Sequence, residues 1–131
     1  MLVYFSNVSN QTKRFVDKLE GIKTLRLPIK KDESTPVVDE PFILLCPSYG
    51  TGNVKRAVPH RVVEFLNIKT NRDNMLGVMG SGNKNFGRHY QVAARVISHK
   101  TQKPFYYGFE ISGMPEDVKN VERIYNEVMQ H

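Results

Sequence analysis

The sequence lacks the marks of secreted and membrane-spanning proteins. It contains one cysteine, Cys46, and no tryptophan among 131 residues. A single cysteine excludes an internal disulfide, and together with the missing secretory-leader pattern it predicts a reducing, cytoplasmic environment. The longest apolar run, residues 42–46, is far too short to cross a bilayer.

Runs of like charge are also missing, although the chain is basic overall. The net charge is +6 at neutral pH, which favours acidic partners such as nucleic acid, an acidic protein or a phosphorylated ligand. The basic residues are spread along the chain, and no run of five or six like charges occurs. We therefore expect a solvated basic surface rather than a nucleic-acid-binding face.

Several familiar site motifs are absent from the sequence. The glycine-rich residues 80–87 lack P-loop spacing, and the first strand–helix turn has no glycine for a dinucleotide fingerprint. The four histidines are not at metal-ligand spacing. Cys46 is too far from Arg56 to form a phosphatase-type anion loop, so we expect a buried core residue there. The sequence therefore predicts neither a metal site nor a catalytic residue.

The first nineteen residues predict a strand, a polar turn and the start of a helix. Residues 2–5 are apolar and favour β-structure, residues 6–12 are polar apart from Val8, and Phe15 and Leu19 share one helical face. No acidic residue occurs in residues 1–14. The first turn of a helix has unpaired N–H groups, so such a turn can bind an anion. An ordinary helix-capping cluster would leave the same pattern, and both interpretations stay open.

Strands and helices alternate along the rest of the chain. Predicted strands cover residues 22–29 (at a sheet edge, because of Pro28), 41–46, 75–79 and 105–111. Predicted helices cover residues 13–20, a segment after Pro59 that buries Val62, Val63 and Leu66, a segment marked by residues 92–97, and a segment after Pro115. Residues 30–40 predict a surface loop and residues 67–74 a polar linker. The pattern predicts a single α/β domain over residues 1–131, with a parallel sheet covered on both faces.

Three loops that follow predicted strands form the candidate site. They are residues 6–11, 47–53 and 80–87, and in parallel sheets ligands bind at the carboxyl ends of the strands. The last two loops carry one aromatic residue each, Tyr49 and Phe86. Aromatic side chains can stack on a flat heteroaromatic ring, and neighbouring glycines let the backbone approach its edge. A phosphate turn beside such loops favours FMN, although the two aromatics could instead anchor their loops on the sheet.

A family resemblance is carried by residues 2–12, 39–50, 81–87 and 109–113. These segments are similar to the NrdI family, the flavodoxin-like activators of class Ib ribonucleotide reductase. The most specific features are the Ser-Gly-Asn-Lys-Asn-Phe-Gly motif of residues 81–87 and the Phe-Glu strand end at residues 109–110. The resemblance covers nearly the whole chain. It implies a flavodoxin-like three-layer fold with a five-stranded parallel sheet and a shortened connection between the second and third strands.

The resemblance also implies FMN as the cofactor, held by three segments. The turn after the first strand would bind the phosphate, and the other two loops would flank the ring and complete the pocket. The residues placed at the cofactor are Ser6, Asn7, Ser9, Asn10, Gln11 and Thr12, then Ser48, Tyr49, Gly50, Thr51 and Gly52, and finally Asn83, Phe86 and Gly87. In this chain Asn10 and Gln11 stand where the family often has Gly-Asn or Glu-Asn.

The resemblance finally implies a function and its partners. In this family the reduced flavin reacts with dioxygen, and the resulting oxidant supports assembly of the dimanganese-tyrosyl radical cofactor in the small, dimetal subunit of class Ib ribonucleotide reductase. The expected partners are that subunit and a flavin-reducing electron donor, with no membrane, and the protein would be an accessory factor rather than a metabolic enzyme. Two alternatives stay open: a general flavodoxin-type electron carrier and a non-redox nucleotide- or phosphate-binding module.

Overall fold

The computed structural model describes residues 1–48, 58–82, 92–110 and 113–130, and within them strands and helices alternate for most of the chain. The strands are β1 (Leu2–Tyr4), β2 (Thr24–Arg26), β3 (Phe42–Pro47), β4 (Met75–Gly82) and β5 (Phe105–Glu110). The helices are α1 (Gln11–Val16), α2 (His60–Asn67), α3 (Lys69–Asn74), α4 (Val92–Thr101) and α5 (Pro115–Met129).

The five strands form one sheet in the order β2-β1-β3-β4-β5, and every neighbouring pair is parallel. This is the strand order of flavodoxin-like folds, with the topological switch point between β1 and β3. The predicted five-stranded parallel sheet is therefore confirmed. The predicted edge position of the second strand is confirmed as well, because β2 pairs only with β1 among the described strands.

The core has two halves, one on each face of the sheet. Strand β3 is buried along its whole length, as its apolar run predicts. Its side chains alternate: Phe42, Leu44 and Cys46 pack with α2 and α4, whereas Ile43 and Leu45 pack with α1 and α5. Cys46 is the predicted core residue, and its complete burial raises the pKa of its thiol.

The connection between β2 and β3 lacks regular secondary structure, as predicted. Residues 27–41 contain neither helix nor strand. Arg61 of α2 holds this segment in place by donating from Nε to the Pro28 carbonyl (3.0 Å) and from a terminal nitrogen to the Glu33 carbonyl (2.6 Å). The segment rejoins the core at Val38, which is buried, whereas Val37 is exposed.

The predicted polar linker over residues 67–74 is wrong, because most of it is helix α3. This helix has no apolar stripe that a sequence pattern could detect. It is held instead by the fully buried amide of Asn71, which accepts from the Val38 N–H (2.7 Å) and donates to the carbonyls of Phe65 (2.9 Å) and Pro36 (3.0 Å). Long-range hydrogen bonds thus replace the missing hydrophobic face.

Other differences concern the limits of elements. Helix α1 ends at Val16 rather than near residue 20, and the chain turns before Gly21, which has φ +72°. The second strand covers only Thr24–Arg26 of the predicted residues 22–29. Gly80 and Gly82 belong to β4, not to a loop, and Val63 is exposed rather than buried. None of the helices in the described ranges has the length and apolar character needed to span a bilayer.

Candidate functional site

The carboxyl ends of β1, β3 and β4 lie side by side at one edge of the sheet. The three strands are parallel neighbours, so the segments that follow them leave from the same edge. A backbone hydrogen bond from the Ser48 N–H to the Ser81 carbonyl (2.7 Å) joins the last described residues after β3 to the end of β4. The sheet therefore brings together the starts of the three loops that the sequence nominated.

The β1–α1 turn, residues 5–10, is folded on itself by Asn7. Its side-chain oxygen accepts hydrogen bonds from the Ser9 N–H (3.0 Å) and from the Ser9 hydroxyl. Its carbonyl accepts from the Asn10 N–H (3.0 Å). Asn10 then adopts a left-handed conformation with φ 62°, which asparagine tolerates better than most residues. The chain thus passes from β1 into α1 through a short turn that is held by its own hydrogen bonds.

The first turn of α1 keeps two backbone donors for a ligand. The Arg14 N–H donates to the Asn10 carbonyl (2.9 Å) and the Lys13 N–H donates to Ser6 Oγ (3.1 Å). The N–H groups of Gln11 and Thr12 precede the first intrahelical bond, so the helix itself cannot supply their acceptors. No acidic residue occupies this turn. These features suit a small anion.

Among the described residues, four buried serine and threonine hydroxyls lie at this edge, and only two of them have a hydrogen-bond partner. Ser6 Oγ accepts from Lys13, and Ser48 Oγ accepts from the Ala93 N–H at the start of α4 (2.8 Å). By contrast, Thr12 Oγ1 and Ser81 Oγ are buried and have no hydrogen-bond partner. An unpaired buried hydroxyl costs about 1–3 kcal/mol. A phosphate that accepts from Thr12 would remove one such cost, so the residues present fit the phosphate of FMN.

Arg26 is a residue of this site that the sequence interpretation missed. It ends β2, in register with Tyr4 of β1. One of its terminal nitrogens donates to the carbonyls of Ser6 (3.1 Å) and Asn7 (3.2 Å) and to Asn10 Oδ1 (2.8 Å). A lone arginine between the apolar residues of a predicted edge strand was the available signal. Its significance depended on the strand order, which places β2 beside β1.

The predicted site residues divide into those that the structure describes and those outside it. The β1–α1 turn contains Ser6, Asn7, Ser9 and Asn10, the start of α1 adds Gln11 and Thr12, and Ser48 lies at the neighbouring strand end. The predicted ring-flanking and pocket residues Tyr49, Gly50, Thr51, Gly52, Asn83, Phe86 and Gly87 lie outside the described residues. The described part of the candidate site is therefore the part predicted to bind the phosphate.

Comparison with known proteins points to one family. A family model described as NrdI flavodoxin-like matches residues 3–123. The chain is 46% identical to Protein NrdI of Photorhabdus laumondii over 130 residues, which cover 99% of this chain and 92% of that protein. It is 45% identical to Protein NrdI of Pectobacterium carotovorum, with 98% and 95% covered, and 44% identical to Protein NrdI of Escherichia coli, with 98% and 93% covered.

Proposed function

The chain belongs to the NrdI family of flavodoxin-like proteins, and from this premise we propose that it binds FMN and acts on ribonucleotide reductase. Its partner would be the small, dimetal subunit of the class Ib enzyme. When bound, FMN supplies electron transfer, and in its reduced state it reacts with dioxygen to provide the oxidant for the dimanganese-tyrosyl radical site of that subunit. A flavin-reducing electron donor would complete the system.

The observation that carries the cofactor proposal is the unpaired, buried hydroxyl of Thr12 beside the free N–H groups of α1. Family membership supports a flavin, and the β1–α1 turn supports a flavin with a phosphate. In this proposal the N–H groups of Gln11 and Thr12 and the hydroxyl of Thr12 donate to phosphate oxygens. Ser6 helps to position these donors, because its hydroxyl oxygen accepts from the Lys13 N–H and so links the turn to the first turn of the helix.

The predicted residues of the second and third loops are assigned to the ring side of the pocket. Ser48 stands at the start of the second loop, where its oxygen already accepts from Ala93 and its hydroxyl hydrogen can still be donated. Tyr49 and Phe86 would stack on or flank the ring, and the glycines near them would let the backbone reach its polar edge. In this proposal the chain's own part in the chemistry is to orient the ring.

A visible spectrum and two flavin titrations test the cofactor assignment. We expect the purified protein to be yellow, with flavin absorbance, and the flavin-free protein to bind FMN more tightly than riboflavin. Phe86→Ala should weaken the binding of both FMN and riboflavin, because a stacked aromatic contributes on the order of 1 kcal/mol beyond its buried area. Ser34→Ala, in the segment between β2 and β3, serves as its control. A colourless protein that binds neither flavin contradicts the assignment.

A binding comparison tests the partner. The FMN-loaded protein should bind the dimetal subunit of class Ib ribonucleotide reductase in preference to unrelated flavodoxin acceptors. The same mixture, supplied with manganese, a reductant and dioxygen, should form the tyrosyl radical, measured by electron paramagnetic resonance. Equal binding to all acceptors, with no radical formed, would indicate a general electron carrier instead.

A further inference from the structure

We infer that Arg26 is a positioning residue that holds the β1–α1 turn in the shape that binds a phosphate group. The inference rests on the proposed function and adds a residue from a different strand to it. Arg26 is half-buried at the carboxyl end of β2 and makes all three of its side-chain hydrogen bonds to that turn. It therefore connects the edge strand to the loop that precedes α1.

Arg26 fixes the direction of two backbone carbonyl groups in the turn. The carbonyl groups of Ser6 and Asn7 both accept from the Arg26 guanidinium (3.1 and 3.2 Å). In a planar trans peptide the N–H points opposite to the C=O, so the N–H groups that follow these two carbonyls point away from the guanidinium. Carbonyl oxygens directed at the ligand would repel a phosphate. Arg26 keeps them turned toward itself.

Arg26 also holds Asn10, the residue directly before α1. Asn10 has φ 62°, a left-handed conformation that asparagine adopts more readily than most residues but less readily than glycine. The hydrogen bond from Arg26 to Asn10 Oδ1 is the shortest of the three, at 2.8 Å. It fixes the side chain of the residue in the left-handed conformation. The orientation of the next two residues, Gln11 and Thr12, depends on that conformation because they begin the helix.

The third observation points to a ligand rather than to a purely structural role. Among the described residues, the buried Thr12 Oγ1, in the helix that follows Asn10, has no hydrogen-bond partner. A turn that served only to connect β1 to α1 would be expected to satisfy such a buried hydroxyl within the protein. An anion with several acceptor oxygens is the ligand class that can accept from this hydroxyl and from the N–H groups of Gln11 and Thr12.

The test separates the shape of the guanidinium from its charge. Arg26→Lys keeps the charge, but the lysine side chain is one bond shorter, so its ammonium does not reach the position of the terminal nitrogen that contacts Ser6, Asn7 and Asn10. Arg26→Met removes the charge as well. Arg14→Met is the matched control, because it removes one positive charge from the exposed side of α1. Isothermal or fluorescence titrations with FMN and riboflavin would be made on flavin-free wild type and each variant.

A second readout follows inorganic phosphate alone in the ¹⁵N-labelled protein. In wild type, phosphate should shift the amide signals of Gln11 and Thr12. In Arg26→Lys we expect phosphate and FMN to bind about tenfold more weakly, as for the loss of well-placed charge-assisted hydrogen bonds. Riboflavin affinity should stay within about twofold of wild type, because riboflavin has no phosphate. Arg14→Met should change every affinity by no more than about twofold.

Each contrary outcome has one meaning. Wild-type affinity for FMN and phosphate in Arg26→Lys would overturn the inference, because charge alone would then suffice. Equal losses for FMN and riboflavin would also overturn it and would indicate a general structural role. If phosphate does not shift the amide signals of Gln11 and Thr12 in wild type, the inference is overturned, whatever the FMN titration shows. If phosphate binding depends on Arg26 but FMN is not preferred over riboflavin, the inference stands and the proposed function fails.

Discussion

Asn71 and Thr12 are buried polar residues at opposite edges of the sheet, and the protein treats them differently. Asn71 lies near the amino ends of β3 and β4 and uses its amide in three hydrogen bonds. Thr12 lies at the carboxyl edge, and its hydroxyl has no partner. Both side chains are almost completely buried. The two residues differ in hydrogen-bond satisfaction and not in burial, and under the proposed function this difference separates a structural polar residue from a ligand-binding one.

Hydrogen-bond satisfaction matters because a buried polar group without a partner costs free energy. A satisfied polar group contributes a modest net stabilisation, but an unsatisfied one carries its full desolvation cost. A protein can leave such a group unpaired when a ligand completes it. Under the proposed function, Asn71 at the amino edge serves stability, whereas Thr12 at the carboxyl edge keeps a hydrogen-bond donor for a ligand. Four substitutions test this difference, starting with the one of largest expected effect.

Asn71→Ala should lower the free energy of unfolding by about 4 kcal/mol, because it leaves the Val38 N–H and the carbonyls of Phe65 and Pro36 without a partner. Urea unfolding measures this loss. Asn67→Ala, in which the replaced side chain is exposed, is the control and should change stability by less than about 0.5 kcal/mol. A loss below about 1 kcal/mol at Asn71 would contradict its structural role, and so would a change in the preference for FMN over riboflavin.

Gly113→Ala tests whether the carboxyl edge is tightly packed outside the phosphate turn. Gly113 has φ +67°, and a Cβ there would lie 2.5 Å from the ring of Phe15. That ring also stacks on Phe109, with centroids 4.3 Å apart. We expect a loss of about 2–3 kcal/mol from the left-handed backbone and the steric overlap together.

Gly21→Ala is the matched control for Gly113→Ala. Gly21 has a similar φ of +72°, but within the described part of the chain no atom other than those of its sequence neighbours lies within 4 Å of the added Cβ. Its loss should be about 1 kcal/mol, from the backbone conformation alone. Equal losses in the two variants, measured by urea unfolding, would show that the contact with Phe15 costs nothing.

Thr12→Val should separate ligand binding from stability. It removes a hydroxyl that has no partner in the protein, so the ligand-free protein should be as stable as wild type or slightly more stable. FMN should bind about tenfold more weakly, equivalent to about 1.4 kcal/mol, whereas riboflavin affinity should be nearly unchanged. Thr70→Val, at an exposed position of α3, is the control. A variant that loses stability instead of FMN affinity would place Thr12 in the same class as Asn71.

Asp17→Asn should have the smallest effect, because its ion pair is neither buried nor part of the ligand site. Lys13 Nζ lies 2.8 Å from Asp17 Oδ2, and the two side chains are 42% and 55% exposed. Exposed pairs of this kind contribute about 0.5 kcal/mol or less, and salt weakens them further. Urea unfolding at low and high salt checks this. A loss above about 1 kcal/mol would show that α1 depends on this pair.

Several features could be predicted from the sequence because they depend on local pattern. The apolar run at residues 42–46 indicates a strand buried on both faces, and β3 is fully buried. Pro28 indicates an edge strand, and β2 is one. The polar residues 6–12 between an apolar run and a helical face indicate a turn that caps a helix. The alternation of strands and helices indicates a parallel sheet whose carboxyl edge carries the ligand loops.

Other features required the tertiary structure because they depend on partners distant in sequence. Helix α3 has no apolar periodicity, and Asn71 holds it through residues more than thirty positions away in the segment before β3. Arg26 contacts the β1–α1 turn only because the strand order places β2 beside β1. The sequence by itself thus determined which segments form strands and which turn resembles a phosphate site, since short-range periodicity and residue type suffice for both. Only the tertiary structure decided which buried polar groups are satisfied, because their hydrogen-bond partners are brought together by folding.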